Sequence, residues 1–377
     1  MKKFTITSIV AALCIASTYG IAGAVATGAC ANCHTMHNMQ NGAVVDASGP
    51  YGVLLKGSCY GCHSQGMTTG TNIVNNTPQV AHTNATDLAG GNFAYILNAG
   101  AKIVDGNDSI AVANPDTVGH NVSELGNPEG IAAMFPPPGD EYAQAITSAN
   151  FTCGGVYGCH GDRTAADSYS AVKGSHHFND SMLKFGAAFS LTTQGTTTAN
   201  SYRFLKGVKG AEVSDWQNAD ASHNEYLGAT DGVEAGSASV PGNGTISGLC
   251  AECHGNFHGP RAVGSDITNT ATGSPWLRHP TDIVLPATGE YASYTGAAAY
   301  KADAPVGRQA ASLPDALAAP LTSVTPGTDI VMCLSCHKVH GSANADILRW
   351  NYEDISAGTG ADATRCFICH TTKDTGS

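Results

Sequence analysis

The sequence predicts mostly irregular coil with short helices and little sheet, packed around something other than its own side chains. Three observations point there. Of 377 residues, 45 are glycine, 7% are aromatic and 13% are charged. That leaves little large apolar surface to set against the entropy of ordering the backbone. Ala, Thr, Ser, Asn and Gly fill long stretches between sparse landmarks. The landmarks are cysteines, 13 in all, nearly every one in a close pair that ends in histidine.

The N-terminus has the physical form of an export signal. Lys2 and Lys3 give a basic start, residues 6–15 are apolar, and small residues follow in A-x-A patterns ending at Ala24 and Ala26. Residues 1–26 are therefore expected to be a signal peptide, cleaved after Ala24 or Ala26, with 27–377 forming one domain. The apolar stretch is too short to span a bilayer, and no later run is long enough. Cys14, directly after Leu13, reads as a small apolar residue of that segment. Losing Lys2 and Lys3 takes the formal charge from −12 to −14. Such an acidic balance disfavours nucleic acid or an anionic membrane as partner. The chain is expected to be exported, to the cell surface or beyond, with the periplasm as the alternative.

Local signals then place the elements. Residues 91–98 read as a short helix ended by Gly100, and 140–148 as another with Asp140 as its cap. Residues 281–285 read as a short strand. The Gly/Thr-rich stretches 64–77, 191–200 and 228–245 read as surface loops, and the prolines at 136–138 as a stiff extended turn.

Five cysteine pairs share one pattern: Cys30, Cys33, His34; Cys59, Cys62, His63; Cys250, Cys253, His254; Cys333, Cys336, His337; and Cys366, Cys369, His370. A C-x-x-C pair alone could bind zinc or exchange disulfides. The histidine after every second cysteine selects covalent haem. Two thiols add to the porphyrin as thioethers, and the next residue brings an imidazole onto the iron. The sixth pair, in CGGVYGCH, separates Cys153 from Cys159 by five residues before His160. A disulfide would give no reason for His160, whereas Gly154, Gly155 and Gly158 would let a longer loop bulge outward. Six haem c groups are expected, the third in chain order held by Cys153, Cys159 and His160, with a disulfide as the alternative there. The residues from 27 to 377 are too few to give each haem its own domain. The fold class sharpens to short helices and coil wrapped around a closely packed chain of covalent haems.

Nine histidines remain for the far faces of the irons, and with seven methionines, Met1 among them, imidazole is the better guess. The expected distal ligands are His37, His120, His176, His258, His279 and His340, with His177, His223 and His82 in reserve. His37, His258 and His340 lie three or four residues past a proximal histidine, too close to cross the same porphyrin. As ligands they must serve another haem, which draws neighbouring haems nearly into contact. His37, near the mature N-terminus, could serve a haem of its own chain or of a neighbouring molecule.

The order CANCHTMHN, a second CxxCH, GHN, a CxxCHxxxH followed by LRHP, then CLSCHKVH and a last CxxCH resembles the OmcS-type extracellular cytochromes, six-haem proteins that polymerise into conductive filaments. The resemblance implies two histidines on every iron. It also implies that His37 crosses to the haem of Cys333, Cys336 and His337 in the next subunit of a head-to-tail filament. The third site departs from the family, which has CxxCH with a histidine three residues on.

The function expected is electron transfer in extracellular respiration, along a filament nanowire or to other outer-surface cytochromes and extracellular acceptors. No enzyme activity is expected. Bis-histidine irons exchange electrons without binding substrate. The alternative, a multihaem reductase, needs one open haem site beside acid–base residues, but no CxxCK replaces a CxxCH and basic residues are sparse. Haem storage is a third class, which does not require overlapping potentials.

Overall fold

The computed structural model describes residues 26–97, 118–126, 146–147, 149–176, 183–185, 190–216, 219–230, 244–254, 279–294, 300–313, 315, 317–358 and 364–373. The signal segment (but for residue 26), the proline run, His177, His258 and the 140–148 helix (but for 146–147) fall outside them.

The chain is mostly coil. Among the described residues the α-helices are Cys59–His63, Gly66–Thr69, Ala94–Leu97, Ser168–Ala171 and Ile246–His254. Three of them have a visible local cause. Asp167 caps Ser168–Ala171, its carboxylate accepting from the Tyr169 and Ser170 amides. The Thr245 hydroxyl accepts from the Gly248 amide, 2.9 Å, at the start of Ile246–His254. Gly70, at φ 71°, closes Gly66–Thr69. Helix Ala94–Leu97 falls within the expected 91–98.

Strands are two or three residues long. Hairpins pair β1 (Met39–Gln40) with β2 (Ala43–Val44), and β3 (Ile73–Val74) with β4 (Thr77–Pro78). One five-stranded sheet runs β5 (Gly210–Ala211), β6 (Glu225–Leu227), β8 (Gly307–Arg308), β9 (Ile330–Val331), β7 (Ile283–Val284). Among the described strands of this sheet, only β6 and β8 pair in parallel. β7 lies in the expected strand at 281–285. Residues 64–77 correct the expectation of a plain surface loop, since they hold helix Gly66–Thr69 and strand β3 and reach β4. Gly66 is buried there because a Cβ would come within 2.4 Å of the Thr71 carbonyl oxygen and 2.5 Å of His82 Cβ.

Apolar packing is broken into separate clusters, three of them set against or including residues of the cysteine motifs. Phe93, Ile96, Val122 and Leu125 pack with Cys153. Leu285, Tyr300, Trp350 and Ile368 pack with Cys336, Cys366 and Cys369. Tyr202, Leu205, Ile246 and Leu249 join Met332 and Leu334, the latter inside the fifth motif. Ion pairs brace the intervening chain. Arg308, 1% exposed, bonds Glu225 at 2.8 Å and also Asp329, tying β8 to β6. Glu212 holds Arg203 and Lys184.

Candidate functional site

The first, fifth and sixth motifs turn on one hydrogen-bond pattern. In the first, the Cys33 and His34 amides both donate to the Cys30 carbonyl, at 3.1 and 2.8 Å. The fifth repeats this onto Cys333 and the sixth onto Cys366. In the second, the same residues make the helix Cys59–His63. The stretched third motif does what the short ones do: the Cys159 and His160 amides donate to the Cys153 carbonyl, at 3.2 and 2.9 Å. Its three extra residues loop out, with the Gly158 amide on Gly155 and the Val156 amide on Ala165. No disulfide joins any of the twelve described cysteines. Cys153 meets Cys59 and Glu124, while Cys159 faces Arg163 and Glu252. Those two thiols thus have different neighbours.

The histidines are held in one tautomer. Nδ1–H donates to a main-chain carbonyl from His34 (Val53, 3.2 Å), His63 (Pro78, 2.7 Å), His120 (Val339, 2.6 Å), His160 (Arg203, 3.1 Å), His279 (Pro280, 2.9 Å) and His337 (Asp346, 2.8 Å). A carbonyl can only accept, so in this tautomer Nε2 is the nitrogen whose lone pair could bind a metal. Burial lowers the pKa of His63, His120, His160, His279 and His337. It pushes His340 down to about 3, with His160, His120 and His63 adding to the effect. Neutral imidazole is the form that binds a metal.

Four of the histidines that end a cysteine motif face another imidazole at nearly one spacing. Ring centres lie 5.7 Å apart for His63 and His176, 6.2 Å for His160 and His340, 6.2 Å for His254 and His120, and 6.1 Å for His370 and His279. Two metal–imidazole bonds of about 2 Å, plus about 1 Å from each nitrogen to its ring centre, come to about 6 Å. The residues present therefore fit an iron held between each pair.

The sulfurs run from motif to motif in sequence order. Cys62 lies beside Cys33. Cys59, Cys153 and the Glu124 carboxylate offer ligand atoms within 4.8 Å of one another. Cys253 interacts with Cys159, Cys250 is within hydrogen-bond reach of Cys333, and Cys336 interacts with Cys366 and Cys369. One cavity of about 2370 Å³ is lined by residues of all six motifs, from Cys33 to Cys366. A site for one small molecule spans roughly 300–1,000 Å³, so this cavity has room for several bound groups.

Two of the reserve histidines, His82 and His223, stand apart from it. His82 is buried beside Asn92, whose amide nitrogen lies 3.4 Å from its Nδ1, and near Asp87. His223 stacks on Tyr300 at 3.4 Å and bonds the Asn224 carbonyl through Nδ1. Neither lines the cavity. His37 is exposed at the head of the first hairpin, beside Met36 and Met39.

Sequence reasoning missed a repeated support. Val53, Arg203 and Asp346, whose carbonyls hold His34, His160 and His337, all have φ near +50° (52°, 47° and 58°). They open the segments VLLK (53–56), RFLK (203–206) and DILR (346–349). The next residue in each closes the turn by accepting an amide just past its motif: Thr35 to Leu54, Gly161 to Phe204, Lys338 to Ile347. A leucine followed by Lys or Arg, three times, was the available signal. Glu290 was missed too. Its carboxylate accepts from His370 Nδ1 at 3.0 Å and pairs with Lys373 at 3.1 Å, and Lys373 chiefly holds its carboxyl below the usual range.

No described helix is long and apolar enough to cross a membrane. No curated protein matches the chain. Two solved structures from Geobacter sulfurreducens are similar along nearly the full length. The outer membrane cytochrome S filament has 18% identity over 93% of each chain, with a TM-score of 0.42. The OmcS nanowires seen by cryo-EM have 19% identity over 94% of this chain and 95% of that one, with a TM-score of 0.47. Residues 326–375 match the family model for a doubled CXXCH motif, which makes the fifth and sixth sites one such doubled unit.

Proposed function

We propose that this protein transfers electrons through six haem c groups in a row, outside the cell and as a filament of itself. The observation that carries the reading is the set of four imidazole pairs with ring centres about 6 Å apart. Each pair joins the histidine of a cysteine motif to one from elsewhere in the chain. Haem c, when bound, supplies an iron that cycles between ferrous and ferric states without changing its bonds.

The chain's residues do the rest. Cys30, Cys33, Cys59, Cys62, Cys153, Cys159, Cys250, Cys253, Cys333, Cys336, Cys366 and Cys369 attach the groups. His34, His63, His160, His254, His337 and His370 bind from one side. His176, His340, His120 and His279 bind from the other at the second, third, fourth and sixth sites. The first and fifth sites draw on His37, His177 and His258. The motif resemblance assigns His37 to the fifth site of the next copy, and its exposure suits that role. Carbonyl bonds to Nδ1 hold the rings of His34, His63, His120, His160, His279 and His337, and the sequence-ordered sulfur contacts support one unbranched electron path.

The test is intact mass with electron paramagnetic resonance on the purified protein. Six haems, all low-spin, are expected. Five haems with a Cys153–Cys159 disulfide would break the row at its third position. A high-spin ferric signal would mark an open iron and sink the pure carrier reading. Negative-stain microscopy then checks assembly: filaments from the wild type and monomers from His37→Ala are expected, and filaments from both would remove His37 from the junction.

A further inference from the structure

The sixth site differs from the first, second, third and fifth in what holds its motif histidine. His34, His63, His120, His160, His279 and His337 give Nδ1–H to neutral carbonyl oxygens. His370 gives its proton to the Glu290 carboxylate, 3.0 Å away. The contact is built into the fold. The Glu290 carbonyl accepts from the Thr371 hydroxyl at 2.7 Å and from the Thr372 amide at 3.2 Å, and Lys373 Nζ stands 3.1 Å from the second carboxylate oxygen. Three successive residues after His370 thus clamp the one acidic residue that reaches its ring. Tyr291, next along the same turn, lies with its ring centre 5.1 Å from that of His370.

We infer that Glu290 is a positioning residue that sets the reduction potential of the sixth site through His370, making it harder to reduce than a carbonyl acceptor would. An imidazole whose far nitrogen bonds a carboxylate is a stronger electron donor than one bonded to an amide oxygen. A stronger donor, with a negative charge behind it, favours the ferric state. Lys373 works against this, because its ammonium draws on the same carboxylate. The site sits at the end of the sulfur chain, beyond Cys336, so Glu290 tunes where electrons enter or leave the row. The inference rests on the reading that Cys366, Cys369 and His370 hold a haem.

The experiment is potentiometric titration of the purified holoprotein, followed by visible absorption, with intact mass for each variant. Glu290→Gln keeps the length and an acceptor oxygen but removes the charge. One of six components should become easier to reduce by about tenfold in its equilibrium constant, which is about 59 mV for a one-electron couple. Lys373→Met should move the same component the other way, by less, since its side chain is 62% exposed. All haems should stay low-spin in both variants. Six haems with every midpoint unmoved, or both variants shifting in one direction, would overturn the inference. So would a high-spin sixth haem in Glu290→Gln, which would make Glu290 a mechanical anchor. A haem count of five in the wild type, with Cys366 and Cys369 unmodified in peptide mapping, would instead remove the reading beneath it.

Discussion

Glycine-to-alanine at two motif positions separates the stretched attachment loop from the ordinary one. Gly61 lies inside CYGCH, and a Cβ there meets nothing within 4 Å. Gly158 lies inside CGGVYGCH, and a Cβ there would stand 2.5 Å from the Gly154 amide nitrogen, 2.5 Å from the Thr152 carbonyl oxygen and 2.7 Å from Gly154 Cα. All three are main-chain atoms, so the turn must open by most of an ångström to reach ordinary contact. Overpacking of that kind costs about 1–3 kcal/mol. Opening also strains the Thr152 amide bond to Tyr157 and the Gly158 amide bond to Gly155, each worth about 1 kcal/mol net. Gly158→Ala should therefore lose roughly 2–5 kcal/mol around the third site. Gly61→Ala, in a helix, should be neutral or gain about 0.5–1 kcal/mol. The assay is intact mass for haem count and guanidinium unfolding for stability. Gly158→Ala should come out with a fraction of chains one haem short and a lower unfolding midpoint, and Gly61→Ala with all its haems. Equal haem counts and equal midpoints in the two variants would refute the loop geometry.

Other outcomes follow from the same contacts. His340→Ala removes the imidazole facing His160, so one haem should turn high-spin in electron paramagnetic resonance while intact mass still counts six; an unchanged spectrum would break that pairing. Burial alone would raise the Glu212 carboxyl, but Arg203 and Lys184 outweigh it and hold the pKa low. Its stabilisation is thus full above the unfolded carboxylate value of about 4.3 and fades as pH falls through the lower folded value. Glu212→Gln should cost about 2–4 kcal/mol at neutral pH, at or below the range for a buried pair because both cations are partly exposed. Guanidinium midpoints of wild type and variant should converge below about pH 4, and a constant gap would refute the linkage. Arg308→Met leaves the Glu225 and Asp329 carboxylates buried without their cation and should cost about 3–5 kcal/mol; a loss under about 1 kcal/mol would show the network to be slack.

Five candidate attachment motifs were legible because thioether attachment and proximal ligation need residues close together in the chain: two cysteines and the next histidine. The coil-rich fold was legible from composition, as was helix Ala94–Leu97 from the glycines beside it. The helix and hairpin within 64–77 were not, because Gly66 serves there as a close-packing residue, and the close approach of Thr71 and His82 that requires it is tertiary. The supports at Val53, Arg203 and Asp346 left only a faint mark, since a carbonyl acceptor asks nothing of its own side chain.

By itself, then, the sequence determined the chemistry: which cysteines and histidines could attach and bind haem, and that imidazoles were in surplus. Only the tertiary structure decided which imidazole faces which. His120 meets the Val339 carbonyl 219 residues away, turns toward His254, and could not have been paired from spacing. The same holds for CGGVYGCH. Its letters break the pattern, yet its fold restores both amide bonds to the first cysteine carbonyl. Covalent chemistry is written in local order, whereas ligation across a porphyrin joins segments that only the folded chain brings within about 6 Å of each other.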